Sequence, residues 1–240
     1  MDQRADDRCT GERTDRGLEM SHRFTGGSQD RFIADLGRLW VEEQDQLVIA
    51  KAIRALDPRY DLERKMAKEP GVGDVIRQMV GRLANSYPGL SPLQNKRILD
   101  IACGSNTSKL PDSGHVRTLF GERSYGRASK GYTALFEPWF CRILFELGAV
   151  PVGVDFGDLE QEAFIHYSVD LGKTGALDFL PDHSFDGIQD SRLFGSPEFT
   201  AQFPNQADRL KIAQEIRRQE KRLLKIDGIL IHSDAIQLVK

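Results

Sequence analysis

The stretch Arg97-Ile98-Leu99-Asp100-Ile101-Ala102-Cys103-Gly104-Ser105-Asn106 decides how the rest of this chain is read. Ile98 to Ile101 has the apolar character of a buried strand, broken by a single acid, Asp100. Small residues follow, as where a backbone must pass close to something, yet Gly104 is the only glycine among them. Downstream, apolar runs alternate with helical patterns. FEPWFCRILFELG (136–148) predicts a helix with Pro138 in its first turn and Gly148 just past its end. VPVGVD (150–155), FIHYSVD (164–170) and FDGIQD (185–190) read as strands. A long helix over about 206–224 and a last strand, GILIHSD (228–234), complete the series. Strands alternating with helices predict an α/β fold: a doubly wound, mostly parallel Rossmann-like sheet with helices on both faces. Ligands of such sheets bind at the carboxyl ends of the strands.

Upstream of Arg97 the pattern differs. Residues 1–29 mix Arg, Asp, Gly and Thr without periodicity and read as a disordered tail. Residues 30–96 read as a helical cover on the main domain, which spans 97–240. From Asp30, apolar residues at Phe32, Leu36, Leu39, Trp40, Leu47, Ala50 and Ile53 have helical spacing, and Asp57-Pro58 is expected to end that helix. A second helix is expected from about Gly73, with Ile76, Met79, Val80 and Leu83 on one face.

Bulk properties narrow the classes of function. A chain of 240 residues, 40% hydrophobic and 29% charged, can bury one sizeable core. Its net charge of -3 gives no general attraction to nucleic acid or to anionic membrane. Three widely spaced cysteines, Cys9, Cys103 and Cys141, argue against a disulfide scaffold or a structural zinc. No apolar run approaches the roughly 20 residues of a membrane span, and the charged N-terminus is unlike a signal peptide. The expectation is a soluble, cytoplasmic protein.

Five strands carry an aspartate at or near the carboxyl end: Asp100, Asp155, Asp170, Asp190 and Asp234. Acids there can cap turns, or they can receive a ligand rich in hydroxyls and amines. In this order the motifs resemble those of class I S-adenosylmethionine-dependent methyltransferases. ILDIACGSN is similar to the first motif of that family, VGVDFGD to the second, YSVDL and LPDHSFDGI to the third and fourth, and RLLKIDGILIHSD to the segment around the fifth strand. The resemblance covers about 97–234. It implies S-adenosyl-L-methionine as cofactor, with Asp100, Ala102 and Gly104 bordering its methionine part. It further implies Asp155 at the ribose, Asp170 and Leu171 at the adenine, and Asp190 in the fourth-strand loop, with Ser191 and Arg192, on the acceptor side. A sulfonium methyl donor needs alignment and a dry site rather than a metal. The uncharged run from Ile101 to Ser108 is compatible with that.

The chain departs from the family pattern in three places. Ala102 and Asn106 stand where glycine is common, although a single methyl is small and asparagine tolerates left-handed backbone. Asp155 follows Asp100 by 55 positions (155 minus 100), where a dinucleotide fold expects roughly 20. The surplus at about 107–135 reads as an insert without regular structure, with five basic residues and four glycines. It is a lid or substrate-binding segment on one reading and a flexible excursion on the other. Finally, the chain stops soon after Asp234, which leaves a sheet edge for the cover, the tail or a second copy in a homo-oligomer to protect.

The acceptor is not legible, and no catalytic residue is assigned. A small-molecule acceptor is favoured over nucleic acid. The basic helix 208–225 has no aromatic residue among its charges on which a base could stack. His183 and His232 read as structural, and His115 stands as a candidate base. A catalytically inactive, cofactor-binding relative is the alternative, and a nicotinamide oxidoreductase is disfavoured by the lack of G-x-G-x-x-G.

Overall fold

A computed structural model describes residues 43–69, 71–87, 89, 93–105, 113–118, 121–126, 134–157, 159, 161–190, 193–194, 199 and 202–231, with the backbone alone for 44, 113–118, 121–126 and 135. Three helices precede the sheet: α1, Glu43–Tyr60; α2, Leu62–Lys68; and α3, Gly71–Ser86. β1, Arg97–Ile101, is followed by a hairpin of β2, Ser113–Thr118, and β3, Gly121–Gly126. A short 3-10 turn, Ala134–Phe136, leads into α4, Trp139–Glu146. Then come β4, Val150–Asp155; β5, Ile165–Ser168; β6, Phe185–Gln189; α5, Gln206–Leu223; and β7, Leu224–Ile231.

The five strands β5-β4-β1-β6-β7 form one sheet in that order, and every pairing is parallel. The chain runs outward from β1 through β4 to β5, then returns to the other side of β1 for β6 and β7. That reversal opens a crevice at the carboxyl ends beside β1.

Alternation along β1 explains the two cores. Ile98 joins one apolar cluster with Trp139, Phe140, Ile143 and Leu144 of α4 and with the helices before the sheet. Leu99 and Ile101 join a second cluster with Val152, Val154, Ile188 and the α5 residues Ile212 and Ile216. Successive side chains of a strand point to opposite faces, so helices cover the sheet on both sides. Asp100 shares its face with Ile98 and is directed under α4.

Two expectations need correction. Asp57-Pro58 does not end the first helix: α1 continues through Pro58 to Tyr60. Pro58 lies in the last turn, where its missing donor removes one hydrogen bond only. The chain turns at Asp61 instead, a left-handed residue (φ 54°), and the Asp57 carboxylate accepts from the Glu63 amide at 2.7 Å to start α2. The insert at 107–135 is not without regular structure either. Its middle pairs as an antiparallel two-stranded sheet, from Ser113 opposite Gly126 to Thr118 opposite Gly121. Residues 30–42 of the expected first helix, and the tail 1–29, lie outside the described residues. Among the described residues no helix is long and apolar enough to cross a membrane.

Candidate functional site

A cleft opens at the carboxyl ends of β1, β4 and β5, with about 410 Å³ of empty space, part of it open to solvent. Ala102 forms one side, Asp155 and Phe156 another, and Val169 to Gly172 the floor beyond β5. Leu193, Phe199, Gln202 and Phe203 close it from the segment after β6. The lining is apolar and aromatic with two carboxylates, Asp155 and Asp170.

Asp155 ends β4 and is oriented by backbone donors. Its Oδ2 accepts from the Gly104 amide at 3.0 Å and its Oδ1 from the Gly157 amide at 3.3 Å. The first bond ties the loop after β1 to the end of β4, and Cys103 N donates to Val154 O at 3.2 Å alongside it. Gly104 sits at φ 102°, and a Cβ there would lie 2.1 Å from the Phe136 carbonyl oxygen, so only glycine fits. Ala102 also has a left-handed backbone, φ 59°, which strains a residue bearing a Cβ.

Asp170 is fixed by its own turn. Its Oδ1 accepts from Gly172 N at 3.1 Å, and Lys173 Nζ stands 3.7 Å from Oδ2. Leu171 is buried in the second core while still lining the cleft. The Phe203 ring closes directly over Gly172, where a Cβ would meet ring carbon Cζ at 2.3 Å. Phe199 and Phe203 meet at a tilt of 53° with ring centroids 5.2 Å apart, and Phe194 meets Phe199 edge-on at 5.5 Å. These aromatic residues went unassigned in the sequence, where the only signal was the four-residue spacing of FTAQF.

The structure therefore brings Ala102, Asp155, Asp170 and Leu171 together on one cleft, with Gly104 bonded to the Asp155 carboxylate. Asp100 and Asp190 lie apart from the lining. Asp100 is 2% exposed and accepts from the Cys141 thiol at 3.6 Å beneath α4. Burial pushes the Cys141 thiol up to about 11, and burial together with Cys141 raises the Cys103 thiol too. Neither sulfur is a ready nucleophile at neutral pH. Asp190 is 1% exposed, with Arg217 Nη2 at 3.4 Å from its Oδ2. Arg217 Nη1 donates to Glu220 at 2.6 Å, so two buried acids face one guanidinium. Burial, and then the Asp190 carboxylate, push the Glu220 carboxyl up to about 8, against the pull of Arg217.

His183 lies in a turn at φ 47° with Nδ1 2.9 Å from the Leu224 carbonyl, away from the cleft. Ser191, Arg192, His232, Asp234 and Asn106 lie outside the described residues, and the side chain of His115 does also. Among the described residues no group of three or more His, Cys, Asp or Glu is placed to hold a metal ion. No family model and no curated protein matches this chain.

Proposed function

We propose that the chain is a Rossmann-like methyltransferase that binds S-adenosyl-L-methionine in the cleft and transfers its methyl group to a small-molecule acceptor. The observation that carries this reading is the placement of Asp155. A carboxylate oriented by two backbone amides closes an apolar strand, with Asp170 at the end of the next strand in the same cleft. Such a carboxylate accepts well from paired ribose hydroxyls, and Asp170 with Leu171 suits an amine-bearing aromatic base between the Phe156, Phe199 and Phe203 rings. The small Ala102 leaves room for the chain leading to the sulfonium.

The cofactor supplies an electrophilic methyl group. The protein's part is to hold the nucleoside end, to turn the reacting end toward the acceptor, and to keep water out. Asp155 binds, the aromatic wall excludes water, and the Gly104 amide keeps the Asp155 carboxylate in one orientation. A second reading is a cofactor-binding protein without turnover. It draws on Asp190, whose carboxylate is turned to Arg217 rather than to the cleft.

Calorimetric titration with S-adenosylhomocysteine and with NAD tests the binding reading. Binding of the first and not of the second is expected, and Asp155→Ala should weaken it by about 1.5–3 kcal/mol, tenfold or more. An Asp155→Ala variant that folds and binds like the parent removes the assignment. Methyl transfer to any acceptor, followed by release of S-adenosylhomocysteine, separates the enzyme from the cofactor-binding protein.

A further inference from the structure

Away from the cleft, a buried cluster of charges gathers around Arg142. This side chain is 3% exposed, yet it meets two carboxylates. Its Nη1 donates to Glu137, and its Nη2 and Nε donate to Glu162 Oε1 at 2.7 and 3.2 Å. The guanidinium lies 3.9 Å from the Tyr60 ring centroid and 4.7 Å from that of Trp139. The Tyr60 hydroxyl donates to Glu162 Oε2 at 2.9 Å, and Lys65 Nζ donates to Glu137 at 2.8 Å. Two cations thus face two anions, with aromatic rings on the guanidinium, which is how an Arg side chain is held in a dry interior.

What this knot connects matters more than its strength. Glu137 follows the 3-10 turn whose Phe136 carbonyl accepts from Ser105 N at 2.9 Å and lies against Gly104. Glu162 belongs to the segment that leaves Asp155 and Phe156 on the way to β5. Tyr60 ends α1 and Lys65 lies in α2. One guanidinium therefore joins the backing of the loop after β1, the segment after β4, and the helices before the sheet. The loop after β1 lines the cleft through Ala102, and the segment after β4 leaves it at Asp155 and Phe156.

We propose that Arg142 is a positioning residue for the cleft: it touches no ligand, but it sets the distance between the Gly104 loop and the Asp155 segment, with Tyr60 and Lys65 completing its environment. This rests on reading the cleft as the S-adenosylmethionine site. It gives the helices before the sheet a share in ligand affinity in addition to covering an apolar face. Because Arg142 acts through backbone it does not contact, a lysine, which retains the charge but not the two-carboxylate fork, should fail to replace it.

The test compares full-length parent, Arg142→Lys, Tyr60→Phe and Glu162→Gln, together with Ile53→Val as a control that disturbs only the packing of α1. Each is titrated with S-adenosylhomocysteine well below its melting temperature, and amide hydrogen exchange is followed at Gly104 and Ser105. Arg142→Lys should weaken binding tenfold or more and speed exchange at both amides. Tyr60→Phe and Glu162→Gln should do so to a lesser extent, and Ile53→Val should lower Tm with binding within twofold of the parent. If Arg142→Lys does not fold, Tyr60→Phe and Glu162→Gln decide by the same two readouts. Knot variants that bind and exchange like the parent overturn the proposal. So does an Ile53→Val that weakens binding as much as they do, because general loss of stability would then suffice. A parent that does not bind S-adenosylhomocysteine overturns the reading of the cleft and this inference with it, whereas a binding parent with unaffected variants overturns this inference alone.

Discussion

At the scale of the residue, Ala102 is the position where backbone and ligand make opposite demands on one side chain. Its left-handed φ of 59° costs a residue with a Cβ roughly 1–2 kcal/mol, part of which glycine would return as extra freedom in the unfolded chain. Ala102→Gly should therefore raise stability by about 1 kcal/mol, measured by urea unfolding, while S-adenosylhomocysteine still binds. Ala102→Leu should abolish binding, because a large side chain fills the cleft that Ala102 lines. A leucine variant that folds and binds normally would place the ligand elsewhere. The sequence offered Asp155 as the acid closing an apolar strand, and Asp170 and Leu171 through the resemblance of its motifs. It could not separate them from Asp100 and Asp190, which end similar strands. What separates them is depth and partner: Asp100 has the same face as Asp155 but lies one residue before the end of β1, where it meets Cys141 beneath α4, and Asp190 meets Arg217 of α5. How far an acid sits from the open edge depends on strand register and on the helix laid over it, and a single strand does not record that.

At the scale of the element, the five strands of the parallel sheet and helices α4 and α5 were legible because period-two and period-3.6 patterns are local. α2 was not, since its seven residues lie between a proline-bearing helix end and a glycine, and its start depends on Asp57 reaching Glu63 N. The β2–β3 hairpin was missed for another reason. SGHVRT and GERSYG carry few apolar residues, so no alternation announces them. α5 is the element whose beginning is clearest in physical terms. Asn205 stands outside the helix in extended backbone, and its side chain accepts from the Ala207 amide at 2.9 Å. Asn205→Ala should cost about 1 kcal/mol, read as a lower Tm, with Asn205→Asp retaining most of the stability. Equal stability in the alanine variant would mean that α5 is held by packing through Ile212 and Ile216 alone.

At the scale of the whole molecule, stability should carry the mark of the acids buried between α5 and the end of β6. The Glu220 carboxyl is raised to about 8 by burial and by Asp190, above its ordinary value of 4.5. Between those values the folded protein holds a proton that the unfolded chain releases, so stability falls as pH rises from about 4.5 to about 8 through this group. Below 4.5 both states are protonated and the contribution is constant. Glu220→Gln should flatten that decline in denaturant titrations across the same interval; an unchanged slope would mean that Arg217 neutralises the site without a shared proton. The Arg142 knot was beyond the reach of the sequence for a related reason. It unites Tyr60, Lys65, Glu137 and Glu162, residues that no periodicity connects and that only the packed tertiary structure brings within hydrogen-bonding distance.

The contact between the Ser105 amide and the Phe136 carbonyl, 2.9 Å apart, has a topological consequence. The chain that leaves the loop after β1 returns to within one hydrogen bond of its point of departure before it enters α4. The β2–β3 hairpin is thus inserted through a stapled neck, and Ala134, just before that return, already lies in the core. The closure entropy of a loop grows only with the logarithm of its length, so doubling such an insertion adds roughly 0.6 kcal/mol. The β2–β3 hairpin can be lengthened or trimmed without rethreading the five-stranded sheet, and a foreign segment spliced between Thr118 and Gly121 should be carried as cargo by an otherwise unaltered fold.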